Sequence, residues 1–156
     1  MADFPHGFDP HDRASPVTDA WQPLWSRETS NAVEIGFVVA ACHCNSRDML
    51  HGGVLAALSD NAMGLSLGVV LERRPSDEHL LHKTKATGIV TTTLSLDYVG
   101  ISRVGDRILI SPRVIHVGKG SGVVDALVTS NGATIARASA AFRVLSAGLK
   151  EESSAS

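Results

Sequence analysis

The stretch Asn45-Ser-Arg-Asp-Met-Leu-His51-Gly52-Gly53-Val54-Leu-Ala-Ala-Leu-Ser-Asp60-Asn-Ala-Met-Gly-Leu-Ser-Leu-Gly-Val-Val-Leu71 decides the fold. A glycine pair ends a loop, and a long apolar run follows at once. The run is near membrane-spanning length, but Asp60, Asn61, two Ser and two Gly inside it argue for a buried protein helix. Such a helix begins at or just after Gly52–Gly53, and its first N–H groups have no intrahelical partner. They can bind a developing oxyanion. Asp60 lies about two turns in, where desolvating a carboxylate costs several kcal/mol unless it finds partners. A carboxylate two turns from an oxyanion-binding helix end suggests hydrolysis of an activated acyl group. Gly64 and Gly68 share the Asp60 face and would let another backbone approach. If that face meets a second subunit, Asp60 sits at an interface.

Each piece also has a plain structural reading. A loop before a helix often carries glycine, and a lone helical Asp is usually solvated or a cap. Asp60 fits neither, because both its flanks are apolar and it is far from either helix end. Asn61 beside it marks a polar pocket or an interface.

Working outward, Ala32–Cys44 reads as a strand rich in Ile, Val and Phe. Within it Cys42 and Cys44 point to one face and His43 to the other, so the tripeptide cannot converge on a metal. No metal site is expected, and the thiols read as buried small apolar groups in a reducing compartment. Beyond the helix lies a polar link at 72–86. Ile89–Val99 alternates, with Leu94, Leu96 and Tyr98 on one face and Ser95 and Asp97 on the other; strict alternation puts Thr91 on the polar face. Val104-Gly-Asp-Arg is a turn. Ile108–Val117 is a strand with a bulge expected at Ser111-Pro112. Gly118-Lys-Gly-Ser-Gly122 is a turn, and Val123–Ser130 and Ala133–Leu145 flank the hairpin signal Asn131-Gly132. One helix followed by four consecutive strands makes an antiparallel sheet curled about that helix. Residues 1–30 read as an irregular arm, 31–146 as one domain and 147–156 as a disordered tail.

The block from Asn45 through His51-Gly52-Gly53 to Asp60 resembles the signature of hotdog-fold acyl-CoA thioesterases of the phenylacetic-acid-pathway (PaaI) type. The segment Ile89–Val99 followed by Val104-Gly105-Asp106 resembles that family's second strand and turn. The resemblance covers roughly Gln22 to Leu145. It implies an α+β hotdog fold, with a sheet of about five strands curled around one long central helix. It implies Asp60 as general base or nucleophile and the Gly52 N–H as donor to the thioester carbonyl. Asn45 places thioester or water, Thr91 supports the attacking water, and His51 completes the catalytic set. It also implies a homodimer or homotetramer with shared sites at the subunit interface. The family usually carries Gly where this chain has Asp48, a residue that tolerates a left-handed backbone better than most. The link at 72–86 is longer than usual and reads as a lid or rim.

Acyl-CoA is then the substrate, and no separate cofactor is expected. Lys119, Gly120 and Ser121, with Arg73 and Arg74, are candidates to meet the coenzyme A phosphates; Lys83 and Lys85 are further cations. The 118–122 turn lacks the strand–loop–helix context of a phosphate loop and is explained as a hairpin turn. The chain has 156 residues and a formal charge of −2, so a core without disulfide or metal is expected. There is no general basic field for nucleic acid or anionic membrane. Met1-Ala-Asp-Phe-Pro-His has no basic start or apolar run, so a cytoplasmic location is expected. Two other readings exist. A hotdog hydroxyacyl-thioester dehydratase would need a His-Phe-Pro type segment, which does not occur, and a non-catalytic acyl-CoA sensor would need an effector domain. Thiol release from acyl-CoA separates hydrolysis from both.

Overall fold

A computed structural model describes residues 4–13, 15–73 and 86–146, with nothing stated of the side chains of 86, 87 and 146. The 74–85 part of the expected lid, with Arg74, Lys83 and Lys85, and the 147–156 tail lie outside the described residues.

The elements are β1 (Asp9–Pro10), α1 (Pro16–Asp19), β2 (Trp25–Glu28), β3 (Val33–Val38), a 3-10 turn (Ala41–His43), α2 (Gly52–Glu72), β4 (Ala86–Tyr98), β5 (Arg107–Val117), β6 (Ser121–Ser130) and β7 (Ala133–Ser146). All pairings are antiparallel, in one sheet ordered β1-β2-β3-β5-β6-β7-β4. The sheet therefore has seven strands rather than about five. The two extra strands come from the arm at 1–30. Leu24 is buried there, and Phe4 stacks on Trp25. A Cβ on Gly36 would come within 2.1 Å of the Phe4 ring, so only glycine in β3 admits this lid.

The sheet curls around α2 because alternate strand residues and most of the helix are apolar. Leu58, Ala62, Met63 and Leu67 from the helix meet Ile35, Phe37, Ile108, Ile110, Val124 and Val128 from the strands, all fully buried. By length and composition α2 could cross a membrane; here it is the core helix. Ser66 fastens it to β3, accepting from the Val33 N–H and donating to the Ala62 carbonyl.

Three local expectations are corrected. Residues 41–43 form a 3-10 turn instead of continuing the strand. His43, 1 % exposed, drives it: Nδ1 accepts from the Ala40 N–H at 2.9 Å and Nε2 lies 3.1 Å from the Trp21 carbonyl. Turning the imidazole inward leaves Cys42 exposed and Cys44 half-buried, so these are not buried thiols. In β5 the irregularity falls at Val114–His116, not at Ser111-Pro112. Pairing with β3 ends at Ile110, so the missing N–H of Pro112 faces no neighbour there and needs no bulge. Gly64 and Gly68 pack against side chains of their own chain. A Cβ on them would sit 3.6 Å from Phe142 and 3.7 Å from Ile89 of the same chain.

Asn131-Gly132 makes the hairpin with φ of 49° and 89°, as its type I′ turn requires. Asp106 ties that turn to the β4–β5 loop, accepting from the Arg103 N–H at 2.7 Å, the Ser102 hydroxyl at 3.0 Å and the Asn131 amide at 2.8 Å. The Arg103 and Asn131 bonds hold its carboxyl below the usual value of 3.8. A depressed carboxyl pKa contributes stability above about pH 3.8 that is lost as pH falls toward the folded-state value. Asp106→Ala should therefore cost about 1–3 kcal/mol at neutral pH and flatten the acid limb of stability below pH 3.8, read by urea unfolding across pH.

Candidate active site

The loop at 45–51 sets up the start of α2. Asn45 Oδ1 accepts from the Arg47 and Met49 N–H groups, closing the loop on itself. Asp48 stands left-handed at φ 54°, the conformation its replacement of glycine calls for. His51 is the N-cap, its Nδ1 accepting from the Gly53 N–H at 2.9 Å. The Gly52 N–H has no acceptor among the described residues, and it carries the positive end of the helix dipole.

Asp60 is half-buried on α2, and its Oδ1 accepts from the Thr91 hydroxyl at 2.8 Å. Strict alternation would have turned Thr91 away. A register shift between Thr91 and Thr93 removes the conflict. Thr92 bulges, its hydroxyl donating to the Ala141 carbonyl, and the parity of β4 changes there. Before the bulge Ile89 and Thr91 face the helix; after it Leu94, Leu96 and Tyr98 do, opposite buried Ala140, Ala138 and Ala136. α2 covers this face incompletely, leaving Leu94 37 % exposed and Tyr98 51 % exposed. The amide nitrogen of Asn61, next to Asp60, is buried without a partner among the described residues.

The candidates thus fall into separate groups. Asn45 and Gly52 share a cavity of about 200 Å³ with Met49, Leu55, Tyr98 and Ile101. Asp60 and Thr91 form the second group. Asp60 is eight residues along the helix from Gly52, about 12 Å at 1.5 Å per residue. Lys119 and Gly120 are exposed in the β5–β6 turn, closed by the Gly118 N–H donating to Ser121 and anchored by the Val144 N–H donating to Gly120. Arg73 is committed elsewhere: it donates to the Thr29 carbonyl at 2.6 Å and pairs with Glu28 at 2.7 Å. Among the described residues no group of three His, Cys, Asp or Glu could hold a metal.

One residue at the site was not singled out from the sequence beyond its strand face. Tyr98 donates to the Gly52 carbonyl at 2.6 Å. Its ring, the one aromatic side chain in β4, was the available signal.

Comparisons with known proteins bear on the family and the fold. The family model of the thioesterase superfamily matches residues 48–136. A candidate esterase of Pseudomonas aeruginosa is 30% identical over 145 residues, covering 92% of this chain and 99% of that protein. A hypothetical thioesterase of Streptococcus pneumoniae, solved with coenzyme A, has a TM-score of 0.68 at 20% identity, covering 89% of this chain and 96% of that one. An Asn-to-Asp variant of the phenylacetic acid degradation protein PaaI of Thermus thermophilus has a TM-score of 0.69 at 19% identity, covering 84% and 100%. These structures share the hotdog arrangement of one long helix inside a curled antiparallel sheet, and the chain described here belongs to the thioesterase superfamily.

Proposed function

We propose that this chain hydrolyses acyl-CoA thioesters, with Asp60 as general base or nucleophile and the Gly52 N–H as oxyanion donor. The observation that carries the reading is the 2.8 Å bond from Thr91 to Asp60. One carboxylate oxygen in an apolar helix is held by a hydroxyl, while the other accepts no hydrogen bond among the described residues. So placed, Asp60 can take a proton from the attacking water or attack the carbonyl itself. Oxygen adds to the carbonyl carbon, negative charge grows on the carbonyl oxygen and meets the Gly52 N–H. The C–S bond then breaks and the coenzyme A thiolate takes up a proton; where Asp60 itself has attacked, a water then hydrolyses the acyl–Asp60 anhydride, releasing the acid and restoring the carboxylate. The pneumococcal neighbour was solved with coenzyme A, and a Streptococcus mutans protein with acetyl-CoA. Neighbours also include forms of the pneumococcal thioesterase with one Asp or one Thr changed to Ala, the residue types that face each other here.

Within one chain a thioester carbonyl cannot reach both Gly52 and Asp60 across about 12 Å. This supports a homodimer or homotetramer in which Gly52 of one subunit faces Asp60 of the other. Asn45, whose Oδ1 is occupied by its own loop, offers its amide nitrogen to the thioester, and His51 supports that end as the helix cap. Lys119, with the Gly120 and Ser121 backbone, suits the coenzyme A phosphates better than Arg73, which is held by Glu28. The exposed free thiol of Cys42 suits a reducing cytoplasm.

Asp60→Asn is nearly isosteric and should keep the fold while losing at least about a hundredfold in turnover, measured as thiol release from acyl-CoA; near-normal turnover removes Asp60 from the mechanism. Thr91→Ala should cost about tenfold, on the order of 1.4 kcal/mol, with Thr91→Ser mild. Mixing Asp60→Asn subunits with Gly52→Pro subunits, which lack that N–H, should restore activity by regenerating one intact site per mixed dimer. Absence of recovery in folded, mixed oligomers would either place each site within a single chain or remove Gly52 from the mechanism.

A further inference from the structure

We propose that Tyr98 is a positioning residue that fixes the Gly52–Gly53 peptide, so that of the two glycines it is Gly52 whose N–H is left free and aimed at substrate. The inference rests on Gly52 being the oxyanion donor. Three contacts carry it. The Tyr98 hydroxyl donates to the Gly52 carbonyl at 2.6 Å. His51 Nδ1 accepts from the Gly53 N–H at 2.9 Å. Both polar ends of the 52–53 peptide are thereby committed, and the plane cannot rotate without losing both bonds. The Tyr98 ring also lies against Gly52: a Cβ there would fall 3.1 Å from Cζ and 3.2 Å from Oη. Glycine at 52 and tyrosine at 98 are fitted to each other, and the helix start is pinned to the strand that also carries Thr91.

The arrangement selects between two adjacent glycines. Gly53 has given its N–H to His51, so it has none for substrate; Gly52 has an unused N–H and a clamped carbonyl. An oxyanion donor acts through pre-set direction, and a small misplacement costs rate more than binding. Burial pushes the Tyr98 phenol above its ordinary value of 10, so it stays a donor at neutral pH. The groups around it are mainly uncharged: Gly52, Leu55, Gly100, Ile101 and Ile135 on the cavity wall. His51 lies one residue before Gly52, and Asp97 points to the other face of β4, where Arg137 binds it.

Tyr98→Phe keeps the ring and removes the donor. In the full-length protein, with acetyl-CoA and phenylacetyl-CoA as probes, it should lower kcat about tenfold and leave KM within about twofold. Thermal unfolding, run alongside, should show the variant folded. An active wild type with kcat unchanged in the variant, or with the loss confined to KM, overturns the proposal and leaves the hydrolase reading standing. A wild type that releases no thiol from either probe overturns both. Tyr98 is the chain's single tyrosine, so biosynthetic replacement by 3-fluorotyrosine alters this residue alone and preserves its shape even if the phenylalanine variant does not fold. Fluorination makes the phenol more acidic. The high-pH limb of kcat should then move to lower pH while KM holds, and an unmoved limb rejects Tyr98 as the donor that sets the site.

Discussion

A carboxylate in the middle of an apolar helix is the constraint on which the arrangement depends. α2 cannot satisfy Asp60 itself, because the backbone N–H groups around it are spent within the helix. The donor has to come from the neighbouring strand, and it has to come without turning the apolar residues of that strand outward. The Thr92 bulge meets both demands. It lets Thr91 face Asp60 and still directs Leu94, Leu96 and Tyr98 to the same side of the sheet. Removing the extra residue would keep either the hydroxyl or the apolar series on the helix face, since a strand's period is two.

Much of the architecture was legible because it rests on local rules. The apolar run bounded by Gly52 predicts α2 closely, and Asn131-Gly132 predicts the β6–β7 hairpin. The arm was less so. Residues 4–28 hold no alternating run long enough to announce a strand, yet β1 and β2 pair onto β3 because Phe4, Trp25 and Leu24 find partners far along the chain. The Cys42-His43-Cys44 segment has strand-like composition, and a single buried imidazole with two backbone partners turns it aside. Tertiary hydrogen bonds of that kind leave no periodic trace.

The site was legible in a different way. Asp60 and Gly52 stand out by chemistry alone, one as a charge among apolar residues and the other as the start of a helix. Thr91 was reached only through resemblance, since alternation argued against it and a bulge has no sequence mark here. Arg73 looked available as a cation, but Glu28 and the Thr29 carbonyl were waiting for it in the arm. Asn45 carries a double load. Its side-chain oxygen shapes the loop that presents His51 and Gly52, so a change there would disturb that geometry whatever else the residue contacts.

The strand that grips α2 at both Gly52 and Asp60 is also the edge of the sheet. β4 is 13 residues long, and among them Asp97 is the one charged residue, already bound to Arg137. It contains neither Lys nor Pro, the usual devices that keep an edge from pairing. Beside it Tyr98, Val99, Ile101 and Val104 are all more than half exposed, up to 70 % for Val99. Unpaired backbone groups next to exposed apolar side chains favour a covering partner, through hydrogen bonds and through burial at about 25 cal/mol per Å². The same cover would exclude water from Asp60 and Gly52. Lower local dielectric strengthens the pull of a fixed N–H on a developing oxyanion. An open edge and a half-walled site lie side by side in the single chain, so a partner that closed the first would also wall the second.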